Sequence, residues 1–168
     1  MSYRNKTYVA FDGDSDIHYY RLMQAWKQND RTPFNFQDAH GLNFSNDTSL
    51  RASILAQLRV RFENTRRFVI LIGNNTKFLR KFVPWEIDQA LARNLPIVCV
   101  NLNGSRQIDY QLCPKTLQTA LAVHIPFQQK ILQYALEHWG DSHNQYSVEG
   151  TSGPYSYKPE VYRNLGVS

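Results

Sequence analysis

The chain has 168 residues, of which 42% are hydrophobic, 13% aromatic and 20% charged. That is one domain of ordinary size, too apolar to be wholly disordered and able to bury a core without disulfides or a structural metal. The net charge of +5 favours anionic partners, nucleotides or nucleic acid, and no apolar run approaches the roughly 20 residues of a membrane-spanning helix.

The N-terminus, MSYRNKTYVAF, has no apolar core of a signal peptide, so a cytoplasmic location is expected. Residues 7–11, TYVAF, read as a short strand ended by the turn signal Asp12-Gly13-Asp14. Ser15 or Asp16 can cap a helix over residues 17–29. After Thr32-Pro33, FNFQD (34–38) reads as a second strand, followed by a polar loop over 39–47. Thr48 is placed to cap a helix whose Leu50, Ile54, Leu58 and Phe62 share one face, with Arg51, Arg59 and Arg61 off it. RFVILIG (67–73) is a continuous apolar run, the mark of a strand covered on both faces. A polar loop over 74–81 leads to a helix with Val83, Ile87, Ala90 and Leu91 on its inner face, and PIVCVNLN (96–103) repeats the buried-strand pattern.

Residues 104–114 read as loop, 115–122 as a short helix and 123–127 as an edge strand, since Pro126 disfavours a central one. Ile131, Leu132, Ala135, Leu136 and Trp139 mark a last helix before Gly140. The expected division is a domain over 1–143 and a Tyr/Ser/Gly/Pro-rich extended tail over 144–168, able to pack along the domain. Cys99, inside PIVCV, reads as a buried, inert thiol, and neither cysteine sits in a zinc-type pattern.

Five strands alternating with helices give an α/β three-layer sandwich. Right-handed crossovers and a flavodoxin-like order, 2-1-3-4-5, make the first and third strands neighbours, with their connections on opposite faces. The default ligand site is then the crevice at their carboxyl ends. The strand ends deliver Phe11, Asp12, Gly13 and Asp14; Asp38 and His40; Gly73, Asn74, Asn75 and Thr76; and Asn101 and Asn103. Each of these also serves as an ordinary turn or cap residue, and only the cluster argues for a site. Glu86 falls on the flank of its helix's buried stripe, near the helix start. It can reach the crevice, but spacing alone favours a first-turn glutamate set by the helix dipole. No GxGxxG, GxxxxGK[ST] or GxSxG occurs. His18, His124, His138 and His143 read as surface or packing residues.

The segments YVAFDGDSDIHYYRLMQAW, FNFQDAH, SILAQLRVRFENT, RFVILIGNNTKFLRKFVPWEIDQAL and LPIVCVNLNG, in this order, resemble the TIR-like domain of the ThsB proteins of the Thoeris anti-phage system. The resemblance spans residues 8–139 and rests on LIG-x-x-T, the WE pair on the next helix and the downstream LPI strand. It implies a flavodoxin-like fold and an enzyme that cleaves NAD at the nicotinamide-ribose bond. The product would be a cyclic ADP-ribose isomer or related ADP-ribose signal, sensed by a separate effector. NAD is then the substrate, and no cofactor or metal is implied. The resemblance further implies a homo-oligomer built through TIR-type contacts and a phage-derived trigger.

By position, Glu86 matches the catalytic glutamate of that family. Phe11, Asp12 and Gly13 fall in the first loop of the nucleotide pocket, and Asp38 and His40 at the start of the mobile loop after the second strand. Asn74 and Asn103 join them as crevice residues. Phe82 stands where many TIR enzymes carry a tryptophan, four residues before the glutamate, which keeps an aromatic there. Lys77, Arg80 and Lys81 are placed to bind a pyrophosphate or to form a solvated basic surface. The alternatives are a non-enzymatic TIR-like assembly module and, last, a nucleic-acid binder, for which Arg59, Arg61, Arg66 and Arg67 lack an interleaved aromatic platform.

Overall fold

The computed structural model describes residues 7–28, 36–38 and 48–167. β1 (Thr7–Ala10), β2 (Phe36–Asp38), β3 (Arg67–Ile72), β4 (Ile97–Asn101), β5 (Ala122–Pro126) and β6 (Pro154–Ser156) form one sheet. Its order is β2-β1-β3-β4-β5-β6, and every neighbouring pair is parallel. The expected flavodoxin-like order 2-1-3-4-5 is therefore present, extended by one strand beyond β5.

Alternation along the strands sends side chains to two cores, as a pleated sheet covered on both faces requires. Tyr8, Ala10, Phe68, Ile70, Ile72, Ile97 and Cys99 meet α2 (Thr48–Glu63) and α3 (Val83–Ala92) on one face. Val9, Phe11, Val69, Leu71, Val98, Val100, Val123 and Ile125 meet α1 (Ile17–Gln28), α4 (Gln129–Val148) and α5 (Pro159–Asn164) on the other. The stripe Ile54, Leu58, Phe62 of α2 is buried as its spacing requires. With α1 and α2 on opposite faces, the chain leaves a crevice at the carboxyl ends of β1 and β3.

Four expectations change. β5 is an interior strand, between β4 and β6. Phe127 donates its N–H to Asn101 O on the β4 side, so the donor missing at Pro126 faces the other way. There β6 has already ended, since its pairing stops at His124 with Ser156. The proline thus interrupts no ladder.

Second, Gly140 does not end the last helix. α4 runs on to Val148 and closes on Gly150 (φ +73°), with Gly150 N–H to Ser147 O and Thr151 N–H to Tyr146 O. This is a Schellman closure. Third, residues 144–168 are not an extended tail. The boundary at 143/144 falls inside α4, and the segment beyond supplies β6 and α5. Tyr155 stacks on Tyr146 at 4.4 Å and contacts Trp139 at 5.8 Å, while Tyr162 of α5 is fully buried. The apolar bodies of these tyrosines close the second core. The predicted short helix at 115–122 is a single 3-10 turn, Lys115–Leu117.

Cys99 and Cys113 are free and buried; burial pushes Cys113 up to about 12 and Cys99 well above its ordinary value. Among the described residues no helix is long and apolar enough to cross a membrane.

Candidate active site

Two segments form the crevice. The first follows β1, and its turn is fixed by Asp12. Asp12 Oδ1 accepts from Asp14 N–H at 3.0 Å and Ser15 N–H at 3.3 Å, and Asp12 O accepts from Asp16 N–H at 2.9 Å. The Asp12 carboxylate is buried and organises the loop in the manner of an Asx-turn. The second segment follows β3. Thr76 Oγ1 accepts from Gly73 N–H at 2.9 Å and donates to Leu71 O at 3.4 Å, so the threonine of LIGNNT turns the chain back at the strand end. Asn75 Nδ2 donates to Ser15 Oγ at 3.1 Å, tying the two loops together.

Between them stands a cavity of about 360 Å³, lined by residues 11–14 on one side and 78–83 on the other. Phe11 and Phe82 are buried walls, and Phe11 stacks on Tyr20 of α1 at 4.6 Å. Phe78, 61% exposed, stands at the mouth, and Arg80 and Lys81 supply positive charge on the same side. Arg51 of α2 holds that segment from behind. It donates to Lys81 O at 3.4 Å and lies 5.4 Å from the Phe82 ring.

Glu86 lies in the first turn of α3, its N–H bonded to Phe82 O at 2.8 Å, and is 1% exposed. The expectation put it on the flank of the buried stripe. The stripe is instead Val83, Glu86, Ile87 and Ala90, while Leu91 is 38% exposed. A glutamate serving only the helix dipole would stand in water; this one is enclosed. It is not in the cavity wall. It sits one turn after Phe82 and Val83, which line the cavity, and helical side chains lean toward the preceding turn.

Of the remaining predicted residues, Gly13 lines the cavity with Phe11, Asp12 and Phe82. Asp38 ends β2 opposite Val9, beside the β1 end. His40 lies outside the described residues. The structure does not bring Asn74 or Asn103 into the cavity. Asn74 is exposed, and Asn103 serves its own loop, donating to Asp109 Oδ2 at 2.9 Å and accepting from Ser105 N–H at 3.1 Å. Lys77 also leaves the site, donating to Gln111 O across the neighbouring loop. Asn101 donates to Ser105 O and Gln107 O.

Asp16 is the buried carboxylate that sequence reasoning treated only as a cap. It is 7% exposed, and Oδ2 has no hydrogen-bond partner among the described residues. Burial, then the neighbouring Asp12, raises its pKa, against a smaller opposing effect of His18. Its carboxylate rests against Gly73, where an added Cβ would fall 2.4 Å from Oδ2. The glycine of LIG therefore permits close packing of the first loop on the end of β3. Gly in that motif, followed by Thr three residues later, was the available signal.

Among curated proteins no sequence matches this chain. The family described as Thoeris protein ThsB, TIR-like domain, matches residues 8–107, which include both crevice segments and Glu86.

Proposed function

The chain belongs to the Thoeris ThsB TIR-like family, and from that premise we propose that it cleaves NAD at the nicotinamide-ribose bond and releases an ADP-ribose signal. The observation that carries this reading is the enclosure of Glu86 directly behind a crevice walled by Phe11 and Phe82 and flanked by Arg80 and Lys81.

Nicotinamide in NAD is already a cationic leaving group, so no general acid is needed. Departure leaves an oxocarbenium-like ribose, as in glycoside hydrolysis. A carboxylate close to the ribose stabilises that charge, and Glu86 takes this role once the turn at Phe82 and Val83 opens toward it. The cavity is near the lower end of the about 300–1,000 Å³ typical of ligand pockets, which suits the nicotinamide riboside half of the dinucleotide. Arg80 and Lys81 then meet the pyrophosphate at the mouth. If the closed site excludes water, a nucleophile of the same ADP-ribose attacks and the product is cyclic; if water enters, it is ADP-ribose. The product reaches a separate effector, and self-association through TIR-type contacts assembles the active form.

The test is incubation of concentrated protein with NAD, with and without lysate of phage-infected cells, followed by separation and mass detection. Nicotinamide release with a product of cyclic ADP-ribose or ADP-ribose mass is expected. Self-association with no loss of NAD in either condition would overturn the proposal in favour of an assembly module.

A further inference from the structure

A second cavity lies at the other end of the sheet. It measures about 620 Å³ and is lined by the last turn of α2, the start of β3, the α3–β4 turn and the middle of α4. Three arginines from two separate turns converge on it: Arg66 and Arg67 before and at the start of β3, and Arg93 after α3. Two carboxylates, Glu63 and Asp141, also line it, so positive charge is in excess. No described residue ion-pairs with Arg66. Arg93 donates from Nε to Gln89 Oε1 at 3.4 Å, with its guanidinium carbon 5.8 Å from the Phe62 ring. That leaves its terminal nitrogens for a ligand.

The walls are fixed before any ligand arrives. Asn94 adopts φ +51°, and Asn94 N–H to Leu91 O with Leu95 N–H to Ala90 O closes α3 tightly. Asn94 O in turn meets His143 Nε2 at 3.0 Å, locking this turn onto α4. Pro96 O accepts from Phe68 N–H at 2.9 Å, locking it onto β3. Gly140 presents only backbone to the hollow, near Arg67 Nη2. Convergent guanidinium groups on a rigid polar hollow suit the planar, forked recognition of phosphoryl oxygens, and the amides of Asn94 and Asn144 add donors at the wall.

We propose that this hollow is a second binding site, for a small phosphoanion such as a di- or polyphosphate group. It is distinct from the crevice: the two stand at opposite ends of α3, whose ten residues span roughly 15 Å.

The test is calorimetric titration of the full chain with inorganic pyrophosphate at constant ionic strength. Saturable binding is expected. Arg66→Ala and Arg93→Ala should each weaken it about tenfold, the loss of one charge-assisted contact. Asp141→Asn should tighten it by removing a repelling carboxylate, which no folding defect would do. Lys158→Ala, at an exposed lysine that lines neither the hollow nor the crevice, should leave it unchanged. Absence of saturable binding by folded wild type would overturn the proposal. So would pyrophosphate binding that follows Arg80 and Lys81 instead, or retention of an acidic polypeptide without pyrophosphate binding.

Discussion

Gly73 shows how one residue without a side chain sets the geometry of the crevice. The Asp16 carboxylate occupies the space its Cβ would need, at 2.4 Å, and Asp16 is itself buried. Gly73→Ala should therefore destabilise the fold by about 1–3 kcal/mol, the usual cost of overpacking. In an Asp16→Ala background the same substitution should cost much less, and urea denaturation of the four proteins measures that coupling. An equal cost in both backgrounds would contradict the contact. The site was legible only in part at this scale. Asp12 and Glu86 were singled out, but Glu86 was placed on the helix flank because Leu91 was counted inside. Hydrophobicity cannot predict that a carboxylate goes in and a leucine out. Asn74 and Asn103 had the composition of site residues, yet neither reaches the cavity; the amide of Asn103 bonds within its own loop.

At the scale of elements, apolar runs were the clearest signal. RFVILIG and PIVCV became β3 and β4 at the centre of the sheet because both faces are covered. β5 was harder, since whether Pro126 blocks a ladder depends on where β6 stops, a fact held in another segment. β5 also buries His124 completely, with neither ring nitrogen bonded to any described residue, between Cys99 of β4 and Ser156 of β6 in register. Burial holds its pKa down to about 4, against an ordinary value of 6.5. The unfolded chain therefore binds this proton more readily. The stability contributed is complete above pH 6.5 and falls as the pH drops from 6.5 towards 4. Between pH 7.5 and pH 5 this histidine alone should cost about 2 kcal/mol. His143 is shifted in the same direction, also by burial. Denaturation at the two pH values should show that loss, and His124→Leu should remove most of it. An unchanged pH dependence in the variant would contradict the assignment.

Over the whole molecule, the second core is closed by residues far apart in sequence. Tyr155 and Tyr162 join α4 and the sheet face, and Arg106 lies 4.0 Å from the Tyr162 ring centroid. The tyrosines of residues 144–168, read from composition as part of an extended tail, are partly or wholly buried: Tyr146 and Tyr155 pack on Trp139 and on each other, and Tyr157 packs on Tyr134. Composition could not separate these cases: aromatic rings in a Gly/Ser/Pro-rich segment pack only if a partner surface exists. The assembled molecule places an aromatic crevice with Glu86 at one end of α3 and an arginine-lined hollow at the other. The central claim is that Glu86 is the carboxylate of an NAD-cleaving site. The most direct test is nicotinamide release from NAD by wild type and Glu86→Gln under matched activating conditions, with melting curves for both. The account predicts release by wild type, loss of at least about a hundredfold in the folded variant, and a product of ADP-ribose or cyclic ADP-ribose mass. Equal release by the variant would contradict it.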